Sequence, residues 1–165
     1  MPRRYAVSED ASWGDDPHGW NDLDTHLLVQ ESAIRRLRPF VLQDRLNWLY
    51  DGPGLLRIEG SVECAFGIAV EVAKLLELRD PGPMSRTIRY SYHAMMDGIP
   101  PRPILRYDNA AHFPNHPDAH HCHRFDWLTG GETVVWIGRQ HWPHLGDVIA
   151  EVRDWWFEIG IDSDS

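Results

Sequence analysis

Lysine is nearly absent from this chain of 165 residues: Lys74 is the only one among 16 basic residues, the rest being arginine. Guanidinium groups can serve as phosphate forks, but the bias reads more economically as surface composition. Cysteine is scarce too. Cys64 and Cys122 are the only two, far apart and in dissimilar surroundings, which argues against a disulfide-built scaffold. No run approaches the ~20 consecutive apolar residues that span a bilayer. Residues 1–10 also lack the apolar core of a secretory signal, so a soluble cytoplasmic protein with no membrane partner is expected. Positive charge is lacking overall. A formal net charge of -9 argues against a protein that coats nucleic acid through its general field and restricts any RNA contact to a local site.

What is present suffices for one fold. With 42% hydrophobic and 11% aromatic residues, a chain of this length buries one substantial core and not two. Residues 1–22 carry Glu9, Asp10, Asp15, Asp16 and Asp22 among Gly14, Pro17 and Gly19. Without an apolar period they are expected to form a mobile acidic arm. Residues 23–160 read as a single domain and 161–165 as a tail. Between 27 and 49 the apolar residues fit neither period well and Pro39 interrupts, which suggests a helix followed by a strand.

The middle of the chain is more regular. Leu56, Ile58, Val62 and Cys64 alternate with Arg57, Glu59, Ser61 and Glu63, the period of a half-buried strand. Ile68, Val70, Val72, Leu76 and Leu78 continue the alternation after a turn at 65–67. Next, Ile88, Tyr90, Tyr92, Ala94 and Met96 share one face of a third strand, and Arg89, Ser91 and His93 share the other. Residues 103–109 supply a fourth. Residues 110–123 hold Pro114, Pro117 and five histidines with no apolar period, so a loop is expected there, followed by a hairpin from 125–127 and 133–137. Leu145, Val148, Ile149, Val152 and Trp156 recur at helical spacing between Pro143 and Gly160. The expected class is α+β: an antiparallel sheet packed against a C-terminal helix, with an additional N-terminal helix or strand.

Chemistry concentrates between residues 86 and 126. Histidine titrates near neutral pH and guanidinium stabilises developing negative charge, so His93 near Asp108, Arg89 and Arg106 could serve acid/base and phosphate chemistry. The same four side chains could equally make a salt-bridge ladder, and the strand register decides which of them meet. In 112–123, His112, His116, His120, His121 and His123 stand with Asp118 and Cys122. This cluster lacks the Cys pairs of a structural zinc site, the His-Glu-x-x-His of a metalloprotease and the His-x-Glu with Pro-Cys-x-x-Cys of a zinc deaminase. Ser91 has no Gly-x-Ser-x-Gly elbow around it, and Gly52, Gly54, Gly130 and Gly131 fit turns, so no phosphate-cradling loop is present.

Three blocks carry a family resemblance: Arg89-Tyr-Ser-Tyr-His93, Ile104-Leu-Arg-Tyr-Asp-Asn-Ala110, and His120-His-Cys-His-Arg-Phe-Asp126, followed by a terminal helix after Trp142-Pro143. In order and spacing, over roughly residues 55–157, the chain resembles the TumE family of toxins from bacterial toxin–antitoxin pairs. The resemblance implies a growth-inhibiting protein held in check by an antitoxin partner. It also implies Arg106, Tyr107, Asp108, Asn109, His120, His121 and His123 as functional positions.

Together these readings give a metal-independent ribonuclease-type toxin. His93, Asp108, His120, His121 and His123 form its acid/base pool, and Arg89, Arg106, Tyr107 and Asn109 contact the substrate. No cofactor is required. One alternative is a metal-dependent hydrolase or nuclease with zinc or manganese on His116, His120 and His123. Another is a non-enzymatic module that binds a partner protein.

Overall fold

The computed structural model describes residues 19–80, 82–110, 120–138 and 141–160. Most of the acidic arm, the tail at 161–165 and His112, His116 and Asp118 lie outside the described residues. In chain order the elements are β1 (Asn21–Asp22), α1 (Leu23–Arg36), β2 (Val41–Tyr50), β3 (Leu55–Cys64), β4 (Ile68–Arg79), β5 (Met84–Met96), β6 (Arg102–Asp108), β7 (His121–Phe125), β8 (Glu132–Trp136) and α2 (Leu145–Trp155). The strands form one antiparallel sheet in sequential order from β2 to β8, and β1 adds a short pairing to the start of β5. The architecture is α+β.

Alternation decides which face each residue joins. Tyr90, Tyr92 and Ala94 of β5 point to the side where Val62, Val70, Val72, Tyr107 and Cys122 also lie, and both helices pack there. From α2 come Leu145, Val148, Ile149 and Val152, all essentially fully buried. Full burial of one such side chain contributes roughly 1.5–3 kcal/mol. Pro143 precedes the helix, and the His144 backbone N–H donates to Asp147 Oδ2 at 3.0 Å, closing its first turn. The helices approach closely where α2 carries Gly146: a Cβ there would stand 2.7 Å from the Ala33 Cβ of α1. Polar atoms join α2 to the sheet as well, Tyr107 Oη donating to Glu151 at 2.7 Å and Arg124 Nη2 bonding the same carboxylate at 2.6 Å.

The opposite face carries no described helix. Across β3 to β7 it presents Ser61, Glu71, Ser91, His93, Arg106, Asp108, His121 and His123, as the strand pairings require. Two bulges interrupt the ladders of β5, one against β4 between Leu75 and Leu76, the other against β6 between Ala94 and Met95. The first leaves Ile88 without a partner on β4 and partly exposed. The second lets the consecutive residues Ile104 and Leu105 both be buried.

One expectation is corrected. Residues 110–123 were expected to form a loop, with the next hairpin starting at 125. Instead His121–Phe125 is a strand, hydrogen-bonded to β6 on one side and to β8 on the other. Its helix-side residues are Cys122 and Arg124, and two of its three alternate positions are histidines. The period of two is therefore written in imidazoles, which a hydrophobicity pattern does not register.

Candidate active site

Register brings the polar residues of β5, β6 and β7 into two straight rows. His93 pairs with Arg106, which pairs with His123; Ser91 pairs with Asp108, which pairs with His121. Strands lie about 4.8 Å apart. Each row therefore spans about 10 Å between its outer Cα atoms, with a β6 residue at its centre.

Asp108 is the hub. Its Oδ1 stands 3.0 Å from His121 Nε2 and accepts the Ala110 backbone N–H at 3.0 Å. Its Oδ2 accepts from Arg106 Nε at 3.0 Å. The Arg106 guanidinium extends past the carboxylate to His123, with Nη2 3.0 Å from His123 Nε2. A guanidinium only donates, so Nε2 accepts and the His123 proton sits on Nδ1, where the Glu132 carboxylate of β8 receives it. Asp108, His121 and His123 are all buried although they lie on the face without helices. Trp136, across the β7–β8 ladder from His121, holds its ring 5.3 Å from the imidazole.

His93 differs from these. It is half-buried, and its Nε2 has no hydrogen-bond partner among the described residues. Burial, then the neighbouring Arg106, lowers its pKa below the usual histidine value, with Glu71 pulling the other way and His123 adding a further lowering. The lowering favours the uncharged imidazole.

The remaining expected site residues fall elsewhere. His120 lies on the helix side, its Nδ1 2.9 Å from the Tyr90 hydroxyl and its ring stacked on Trp142 at 5.4 Å. Tyr107 is fully buried on that side, bonded to Glu151. Asn109 uses its side chain on backbone: Oδ1 accepts the Tyr90 N–H at 2.9 Å and Nδ2 donates to the Ile88 carbonyl at 2.9 Å. Arg89 is exposed at the rim of the open face. Burial pushes the Cys122 thiol up to about 11, which leaves it protonated and a poor nucleophile. Glu132 was missed by sequence reasoning, because it reaches His123 only through the β7–β8 register, which sets it two residues from Val134, the partner of His123.

Ligand atoms of Asp108, His121 and His123 all lie within 4.8 Å of one another, a carboxylate and two imidazoles able to converge on a divalent ion. Against that use stands Arg106, whose guanidinium contacts two of the three groups and already supplies the positive charge. His116, the other metal candidate, lies outside the described residues.

A family model described as toxin TumE matches residues 30–156. No curated protein and no solved structure matches the chain. Among the described residues, no helix is long and apolar enough to cross a membrane.

Proposed function

The chain belongs to the TumE family of toxins, and on that premise we propose that it is a metal-independent ribonuclease, partnered by an antitoxin protein. The observation that carries this reading is the row His93–Arg106–His123, two imidazoles flanking one guanidinium on three hydrogen-bonded strands. Cleavage of RNA by transesterification needs that set. A base removes the 2'-hydroxyl proton, the 2'-oxygen attacks phosphorus, and an acid protonates the departing 5'-oxygen while a cation stabilises the phosphorane. His93, its pKa lowered by burial and its side chain lining the hollow beside Arg106, is suited to be the base. His123, whose Nδ1–H is held by Glu132, is suited to be the acid once Arg106 turns from it to the phosphate and the freed Nε2 takes up a proton from solvent, which it then passes to the 5'-oxygen. Asp108 and His121 position Arg106 from the adjacent row. The products are a 2',3'-cyclic phosphate and a 5'-hydroxyl end.

Purified protein incubated with total RNA in EDTA is expected to generate those termini, and induction in cells is expected to stop growth. An intact RNA pool in both settings would overturn the reading. A second reading rests on the convergence of Asp108, His121 and His123: a metal-dependent nuclease on the same face. Activity absent in EDTA and restored by zinc or manganese would favour it.

A further inference from the structure

The open face is hollowed on both sides of Arg106. One hollow, of about 540 Å³, is lined by Arg57, Arg89, Ser91, Arg106 and Asp108 among others. The other, of about 530 Å³, runs past Arg45, Ser61, Glu71, His93 and Arg106. Ser91 and Arg106 line both, so the two form one trough with the Arg106 guanidinium near its middle.

The halves differ in uncommitted charge. Arg45 is paired with Glu63 at 3.2 Å, and its hollow also contains the Glu71 carboxylate. In the other half Arg57 is held by Asp51 and Glu59 at 3.3 and 3.0 Å, and Arg106 by Asp108. The Arg89 side chain makes no ion pair or hydrogen bond with the described residues, and it is exposed. Its backbone is nonetheless fixed, because Asn109 bonds the residue on either side of it. An unpaired guanidinium rooted on a fixed backbone beside a hollow is free to take an anion there.

Its position sets the anion's place. Side chains two residues apart on a strand repeat every ~6.7 Å, which is close to the phosphate repeat of an extended single nucleic-acid strand. The Arg106 guanidinium leans toward the Ser91–Asp108 row, and Arg89 stands one repeat further along β5. Resting on the ribonuclease reading above, we propose that Arg89 is a second phosphate subsite, which holds the phosphate adjacent to the scissile one. The substrate is then single-stranded RNA lying along β5, favoured once it carries at least two consecutive phosphates.

The test compares a dinucleoside monophosphate with a tetranucleotide of the same sequence, using the full chain and its Arg89→Ala and Arg89→Lys variants. Arg89→Ala is expected to raise KM for the tetranucleotide about tenfold, to leave kcat on either substrate and KM for the dinucleotide unchanged, and to be partly rescued by lysine. Binding of a non-cleavable 2'-O-methyl tetranucleotide is measured alongside. Its logarithmic salt slope is expected to fall by about 0.7, the share of one phosphate contact in a single strand. Equal effects on short and long substrates, or none on either, would overturn the subsite. If the wild-type protein cleaves neither substrate, the ribonuclease reading fails and the binding arm alone judges the subsite: an affinity and salt slope unmoved by Arg89→Ala refute it, and a weakened affinity with a reduced slope supports it.

Discussion

Each face of the sheet buries a polar cluster, and the two are built on opposite principles. Beneath α1, Lys74 Nζ lies 2.7 Å from His26 Nε2 and 3.4 Å from Gln30 Oε1, with no carboxylate paired to it among the described residues. Desolvation brings the lysine down to about 7, and desolvation together with Lys74 brings His26 down to about 2. On the open face, by contrast, carboxylate and guanidinium alternate with imidazoles, so that Asp108 meets Arg106 and His121, and His123 meets Arg106 and Glu132. Burial alone therefore does not mark a site. The first cluster relieves its charge by releasing protons; the second compensates charge with charge and stays polar at the face a ligand can approach.

The largest effect expected from breaking this contrast is at Asp108. Asp108→Ala leaves Arg106 and the buried His121 without their acceptor and should cost about 1–3 kcal/mol in urea denaturation, together with loss of ribonuclease activity. A variant as stable as the wild type would show that the charges on the open face are not coupled.

Lys74→Met should act in the opposite direction. In the unfolded chain the amine titrates near 10.5 and in the folded protein near 7. Between those values the unfolded state binds the extra proton, so stability rises with pH across that window and the penalty is fully present below it. Removing the amine should raise stability at pH 7 on the order of 1 kcal/mol, since His26 loses a partner at the same time, and should flatten the rise between pH 7 and 10. Melting temperatures of both proteins at pH 7 and pH 9 decide this. A parallel pH dependence in the variant would remove Lys74 as its source.

The smallest change in stability is expected at His93, where replacement by Ala should shift unfolding by about 0.5 kcal/mol or less yet abolish cleavage. His120→Ala is the counterpart on the other face. There the ring stacks on Trp142 and bonds Tyr90, so stability should fall and activity in the surviving folded protein should persist. Should the activity losses be reversed between the two variants, the acid/base pair would have to be sought on the helix side.

Much of this was legible wherever hydrophobicity itself alternates. β3, β4, most of β5 and α2 follow from Leu56, Val70, Tyr92 or Val152 and their neighbours, and the open face of β5 from Arg89, Ser91 and His93. The site was legible as a set of residues but not as an arrangement. Whether His93 would meet Arg106 or Tyr107 depends on a register that local sequence does not fix. Tyr107, Asn109 and His120 lie close in sequence to Arg106, Asp108 and His121, yet their parity or their backbone bonds send them elsewhere. Glu132 reaches His123 only through the β7–β8 pairing, and the contact of Lys74 with His26 joins residues 48 apart in the chain; neither leaves a local trace.

The two bulges of β5 have a mechanical consequence. They lie at either end of the stretch from Arg89 to Ala94, one in each of its ladders, and a bulge can engage only one alignment of its partner strand. They act as stops on a sliding rail. Without them, a shift of β5 by one residue would keep most of the backbone bonds but exchange the two faces, turning Tyr90 and Tyr92 outward and burying Ser91 and His93 against the helices. The polar identity of this surface is thus a matter of phase, and one extra residue in each ladder locks that phase in place.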